Sequence, residues 1–158
     1  KANAPFGVCL IREGAEVGDA AVPHNIGCMA SIVDWDMSQP GLLFITTRGG
    51  PRFRIVERTI QHDKLQTARV EWLPEPAPQP VPPALADMLP LLQAIVSDAG
   101  ETVFPPPHRF GDATWVGYRL AEVLPIPPEA RVRLLELDDT ISRLEILHTY
   151  LKQHKLVG

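Results

Sequence analysis

Residues 74–83 read Pro-Glu-Pro-Ala-Pro-Gln-Pro-Val-Pro-Pro, six prolines in ten positions. Proline lacks the amide proton that helices and central strands need, and its fixed φ favours an extended polyproline II path. The stretch therefore divides the chain, as a stiff spacer or as a strap along a surface. A ligand for a proline-recognising module is the alternative reading of the same composition. Before it, the apolar pattern has a period of two; after it, the period is helical. The expected organisation is a β subdomain over residues 1–73, a Pro-rich linker over 74–83 and a helical subdomain over 84–158, an α+β arrangement.

The N-terminal part predicts five short strands: Phe6–Ile11, Gly27–Asp34, Leu42–Thr47, Arg52–Val56 and Leu65–Trp72. Gly49-Gly50-Pro51 predicts a turn between the third and fourth. Strands this short and this closely spaced suggest a small barrel or a curled sheet. In the C-terminal part, Leu85, Met88, Leu89, Leu92, Ile95 and Val96 share one helix face, with Gly100 as a stop. Pro90 falls inside that face and is expected to kink the helix or divide it. Asp112 is placed to cap a second helix to about Leu124, with Val116, Leu120, Val123 and Leu124 facing inward. A short helix over 129–137 follows, and Asp138 is expected to cap a last helix to about His154 on a stripe of Ile141, Leu144, Leu147 and Leu151.

Composition narrows the function classes. The 158 residues are 45% apolar and 22% charged, as in an ordinary globular chain. The net charge is −4, and lysine and arginine are spread evenly, eight over 1–83 and seven over 84–158. Nucleic-acid binders driven by counterion release carry a basic surplus, which is missing here. No apolar run approaches the roughly 18 residues a membrane helix needs, and no leader segment opens the chain. Cys9 and Cys28 sit in apolar, strand-like contexts and read as buried free thiols of a reducing cytoplasm; a disulfide or a reactive thiol is the alternative. Arg48, Arg52, Arg54 and Arg58 read as the solvated face of an edge hairpin, with a basic ribbon for RNA as the rival.

The motifs of common catalysis are missing. The chain has no phosphate-binding Gly-x-x-x-x-Gly-Lys-Ser/Thr, no Gly-x-Gly-x-x-Gly and no Gly-x-Ser-x-Gly. Ser31, Ser38, Ser97 and Ser142 lie in no nucleophile setting, and no lysine has an evident serine partner. His24, His62, His108, His148 and His154 include no pair at i, i+4, and neither cysteine has a partner two or four residues away. Asp34 and Asp36 fit a strand end, and Asp138 and Asp139 a helix cap, rather than opposed acid/base carboxylates. No enzyme activity, cofactor or metal is expected.

An ordered series of segments nevertheless resembles one family. Pro5-Phe6-Gly7-Val8 looks like the Phe-Gly-Val strand of the Lon protease N-terminal domain, and Ile26-Gly27-Cys28-Met29-Ala30-Ser31-Ile32 is similar to the strand that follows. Gly41-Leu42-Leu43, Gly49-Gly50 and Arg52-Phe53-Arg54-Ile55 resemble the hairpin with its Arg-Phe-Arg signature, and Ala68–Leu73 the strand that leaves the sheet. Trp115–Pro125 resembles the family helix ending in Leu-Pro, continued by Leu134-Leu135-Glu136 and Arg143-Leu144. The resemblance implies a PUA-like β pseudobarrel followed by a helical subdomain, in a stand-alone form. It also implies a non-catalytic role in engaging protein or peptide substrates. The ATPase and Ser-Lys peptidase of full Lon proteases have no counterpart in the motifs above. The family pattern opens with a strand and a helix upstream of the Phe-Gly-Val strand, so an additional N-terminal segment is expected in the natural protein.

On this reading the chain is a cytoplasmic module that binds unfolded or specific protein or peptide segments, without membrane or nucleic-acid partners. Candidate lining residues of an apolar groove between sheet and helices are Trp35, Phe44, Trp72, Phe104, Phe110, Trp115 and Tyr118, because aromatics anchor interfaces at small entropic cost. Core packing is the alternative for each, and for Trp115 above all. An RNA-binding PUA-like module and a small-ligand pocket with convergent polar groups are the rival functions.

Overall fold

The computed structural model of the protein describes residues 4–158. The chain forms two compact units, the first ending at Glu75 and the second beginning at Pro76.

The first unit is an antiparallel sheet of four strands in the order β1 (Phe6–Glu13), β2 (Val22–Gln39), β3 (Leu42–Ile60) and β4 (Gln66–Trp72). Four strands stand where five were expected, because Gly49-Gly50-Pro51 makes no turn: β3 runs straight through it for 19 residues. Cys28 pairs with Arg52 and Ala30 with Gly49, so three residues of β3 span two of β2. That extra residue is a β-bulge, the place in a sheet interior where a proline without an amide proton is tolerated.

Phe53 supplies the centre of this unit. It is 3% exposed and lies in register with Gly27, which in turn faces Cys9 of β1. A β-carbon on Gly27 would come within 2.7 Å of the Phe53 ring and 2.4 Å of the Val8 carbonyl oxygen; one on Gly7 would come within 3.0 Å of the same ring. The ring therefore lies across β2 onto β1, over two residues that must lack side chains. Trp72, its partner on β4, meets it edge-on at 6.5 Å between centroids. Ile26 and Ala30 complete the buried apolar set of this unit among the described residues.

Alternation sends Arg52 to the face opposite Phe53. It is 7% exposed and donates from Nη2 to the Pro74 carbonyl at 2.6 Å, while the Leu73 amide donates to the Arg52 carbonyl. The expectation of a solvated arginine face on an edge hairpin is thereby corrected. β3 is an interior strand between β2 and β4, Arg52 is buried, Arg54 and Arg58 are half-buried, and only Arg48 of the four is exposed. Arg58 donates to the Ala21 carbonyl, as does Gln66, so the β1–β2 loop is tied to the β3–β4 turn.

Cys9 and Cys28 are free, half-buried thiols. Cys9 faces Gly27 and Cys28 faces Val8, so they project to opposite sides of the sheet. Burial, with a smaller contribution from Cys28, raises the Cys9 thiol above its ordinary pKa.

The second unit is helical: a 3-10 turn (Pro83–Met88), then α1 (Leu89–Ala99), α2 (Ala113–Val123), α3 (Pro128–Glu136) and α4 (Thr140–Gln153). Pro90 falls in the first turn of α1, where its missing amide proton costs nothing, so it divides the expected helix instead of kinking it. Gly100, at φ 77°, ends α1. Asp112 caps α2 through the Thr114 amide at 2.9 Å. The last cap is Asp139, accepting from the Ile141 and Ser142 amides at 3.1 Å, and not Asp138; α4 begins immediately after it. The core is built from Met88, Leu92, Val116, Leu120, Leu144 and Leu147, all fully buried, with their neighbours. The 3-10 turn is joined to α4 by His148 and Asp87, 2.9 Å apart.

Arg143 is also fully buried in this core. Its Nε donates to the Leu134 carbonyl at 3.2 Å, and its Nη2 to the Leu137 carbonyl and to the Tyr118 hydroxyl. Its guanidinium carbon sits 4.2 Å from the Tyr118 ring centroid. Its stem passes over Gly117, where a β-carbon would come within 3.3 Å. One side chain thus joins α2, the end of α3 and α4. The Pro-rich segment is held to the same unit: the Ala113 amide donates to Gln79, the Thr114 hydroxyl to Ala77 at 2.8 Å, and Thr140 is hydrogen-bonded to that hydroxyl at 3.0 Å. Residues 76–83 run as a strap.

Arg143→Ala leaves buried carbonyls unpaired and is expected to lower stability by about 3 kcal/mol or more in urea unfolding. Asp139→Ala removes a cap and is expected to cost about 1 kcal/mol in the same measurement. A raised pKa means less thiolate at neutral pH, so alkylation of Cys9, followed by mass spectrometry, is expected to lag behind that of glutathione and to catch up as the pH rises.

Candidate functional site

The seven aromatic candidates divide between the units, Trp35, Phe44 and Trp72 in the first and Phe104, Phe110, Trp115 and Tyr118 in the second. Phe104, at 3% exposure, is core in the second unit and presents nothing to a ligand, which corrects its place in the candidate set. Tyr118 lies against the Arg143 guanidinium. Phe110 and Trp115 are half-buried and meet edge-on at 5.2 Å, with His108 against both and the Arg119 guanidinium carbon 6.0 Å from the Trp115 ring. This small cluster packs on the helical core. In the first unit, Trp72 covers Phe53 and still exposes its outer side.

Trp35 and Phe44 belong to a different feature. Among the described residues, β1 accompanies β2 only as far as Ala30, and β4 accompanies β3 only back to Phe53. Beyond those points β2 and β3 continue as a two-stranded arm that turns at Pro40-Gly41, with Gly41 at φ 82°. Trp35 pairs with Ile45 and Asp36 with Phe44. Period-two alternation therefore groups Trp35 and Ile45, with Leu43 two residues on, on one face. Phe44 shares the other face with Asp36 and Asp34, the latter paired with Thr46. Trp35 is 64% exposed, Leu43 61% and Met37 59%.

Sequence reasoning named two residues of this arm and missed Val33, Met37, Leu42, Leu43 and Ile45, all exposed. It read Leu42–Thr47 as one of five short strands and gave it no exposed face. The available signal was the spacing: two apolar runs joined by a tight Pro-Gly turn.

Chemically, the arm offers apolar side chains and, from Leu42 to Gly50, an outer β3 edge with no strand beside it among the described residues. That combination accepts an extended polypeptide, whose main chain can add to an edge while its side chains rest on the apolar face. Among the described residues, no group of three or more histidine, cysteine, aspartate or glutamate side chains could hold a metal ion, and no helix is long and apolar enough to cross a membrane.

Comparison with known proteins fits this architecture. No curated protein matches the chain. The crystal structure of a Lon N-terminal domain protein from Xanthomonas campestris is similar, with 30% sequence identity and a TM-score of 0.74, over 93% of this chain and 76% of that one. The N-terminal domain of Mycobacterium avium complex Lon protease shares the fold at 15% identity and a TM-score of 0.58, over 96% of this chain and 91% of that one. A family model described as the ATP-dependent protease La (LON) substrate-binding domain matches residues 1–153. With strands followed by helices and a match over nearly its whole length, the chain belongs to the Lon substrate-binding domain family.

Proposed function

We propose that this protein is a non-catalytic binding module of the cytoplasm that takes extended, apolar stretches of other polypeptides. The observation that carries this reading is the arm: Trp35, Leu43 and Ile45 share one face and are exposed among the described residues. An apolar patch of this kind is costly to leave in water and is a mark of interaction surfaces. Membership of a family described by substrate binding supports the same reading. Trp72 and the Phe110–Trp115 pair are secondary surfaces, since part of each is already used in packing. The burial of Arg52 weakens the rival RNA reading, which needs a continuous basic ribbon.

Anisotropy measurements with labelled apolar peptides are expected to show saturable binding. Trp35→Ala and Leu43→Ala are each expected to weaken it by about fivefold or more, the usual scale for truncating an interface anchor. Trp115→Ala is expected to leave affinity nearly unchanged. No binding across a broad peptide panel, or full affinity in both arm variants, would overturn the reading.

A further inference from the structure

We propose that the Pro-rich strap is itself a ligand: it presents a polyproline II edge to a partner protein whose groove is lined by tyrosine and tryptophan side chains and has no acidic rim. This lies outside the peptide-binding reading, in which the protein is the receptor and the first unit holds the site. Each stands if the other fails.

A polyproline II chain has three residues per turn, so residues three apart share an edge. Pro82, at φ −60° and ψ 140°, has that conformation. The three edges of the strap have different surroundings. Pro76 and Pro82 are half-buried, and Gln79 between them is bound through its backbone. Its amide donates to Asp112 Oδ1 at 3.2 Å, and its carbonyl accepts from the Ala113 amide. This edge lies against the helical unit. Ala77, Pro80 and Pro83 form the second edge, and all three are exposed. Pro78, on the third edge, is exposed as well, whereas Val81 rests on the core. Pro80-Val81-Pro82-Pro83 therefore turns two prolines, one helical turn apart, towards solvent.

Domains that read polyproline II seat prolines of this spacing in aromatic-lined grooves and gain from a ligand that is extended before it binds. The strap meets that condition. The Thr114 hydroxyl holds the Ala77 carbonyl at 2.8 Å and the Ala113 amide holds Gln79, so little freedom remains to be lost on binding. Charge then selects among grooves. Residues 76–83 carry none. Their anchors add negative charge: Asp112 holds Gln79, and Asp139 caps α4 next to Thr140, which is hydrogen-bonded to Thr114. An acidic rim would be repelled there, and a neutral or basic one fits.

The test is isothermal titration of the 158-residue protein with a panel of isolated WW and SH3 domains. Saturable binding by domains with a neutral or basic rim is expected, competed by a synthetic peptide of residues 74–83, and no binding by acidic-rimmed members. Pro80→Ala/Pro83→Ala is expected to weaken binding by about fivefold or more. Pro105→Ala, at an exposed proline outside the strap, is expected to leave it unchanged. Should the double variant lose the order of the strap, nitrogen-15 spectra of the unmutated protein decide: a bound domain is expected to shift the amides of Ala77, Gln79 and Val81. Absence of binding throughout the panel, equal binding by acidic-rimmed members, full affinity in a folded double variant, or shifts confined to residues outside 76–83 would overturn the proposal.

Discussion

The tip of the Phe53 ring reaches over Gly27 to Gly7, and the sheet depends on that contact. The ring spans β3, β2 and β1 at the point where the three strands are in register, and Trp72 closes it from β4. An aromatic against glycines is buried closely because no side chain holds it off the backbone. It also fixes its neighbour. With Phe53 on one side, strand alternation places Arg52 on the other, where its guanidinium holds the Pro74 carbonyl and directs the chain as it leaves β4. Away from this centre, the buried apolar side chains of the sheet among the described residues are Ile26 and Ala30.

The helical unit is built on a different balance. Its leucines interdigitate in a fully buried core, yet a permanently charged side chain lies among them. Burying a guanidinium is unfavourable unless its protons are used. Here those on Nε and Nη2 meet the carbonyls of Leu134 and Leu137, at the C-terminal end of α3, where a helix leaves carbonyls without partners. The cation thus satisfies the end of one helix from within another, and Tyr118 covers its face. Gly117 is the complementary concession, since a side chain there would press on the Arg143 stem.

Much of this architecture was legible in the residues. The change of period around the Pro-rich stretch, the Asp112 cap, the Gly100 stop and the leucine stripe of α4 all follow from local rules of propensity and capping, and the structure contains each. Features that depend on pairing between distant segments were not legible. Gly49-Gly50-Pro51 has turn composition, and only the register against β2 turns it into a bulge. Arg52 alternates like a solvated residue, and only its position between two strands buries it. Phe104 and Trp35 are both loop- or strand-borne aromatics in the sequence, yet one is 3% exposed and the other 64%. Burial is a property of what packs on a residue, and the arm is visible only once the lengths of β1 and β4 are known.

The bulge at Gly50-Pro51 has a further consequence. A ladder of regular antiparallel strands has many near-equivalent alignments, and sliding by one residue exchanges its two faces. For β3 that exchange would drive the Arg52 guanidinium towards the glycines and lift the Phe53 ring to the other side. The kinked, amide-deficient Gly-Pro pair fits the ladder at one position only, so it works as an indexing notch. The strand is admitted in a single alignment, and the long β2–β3 hairpin acquires a unique zero point.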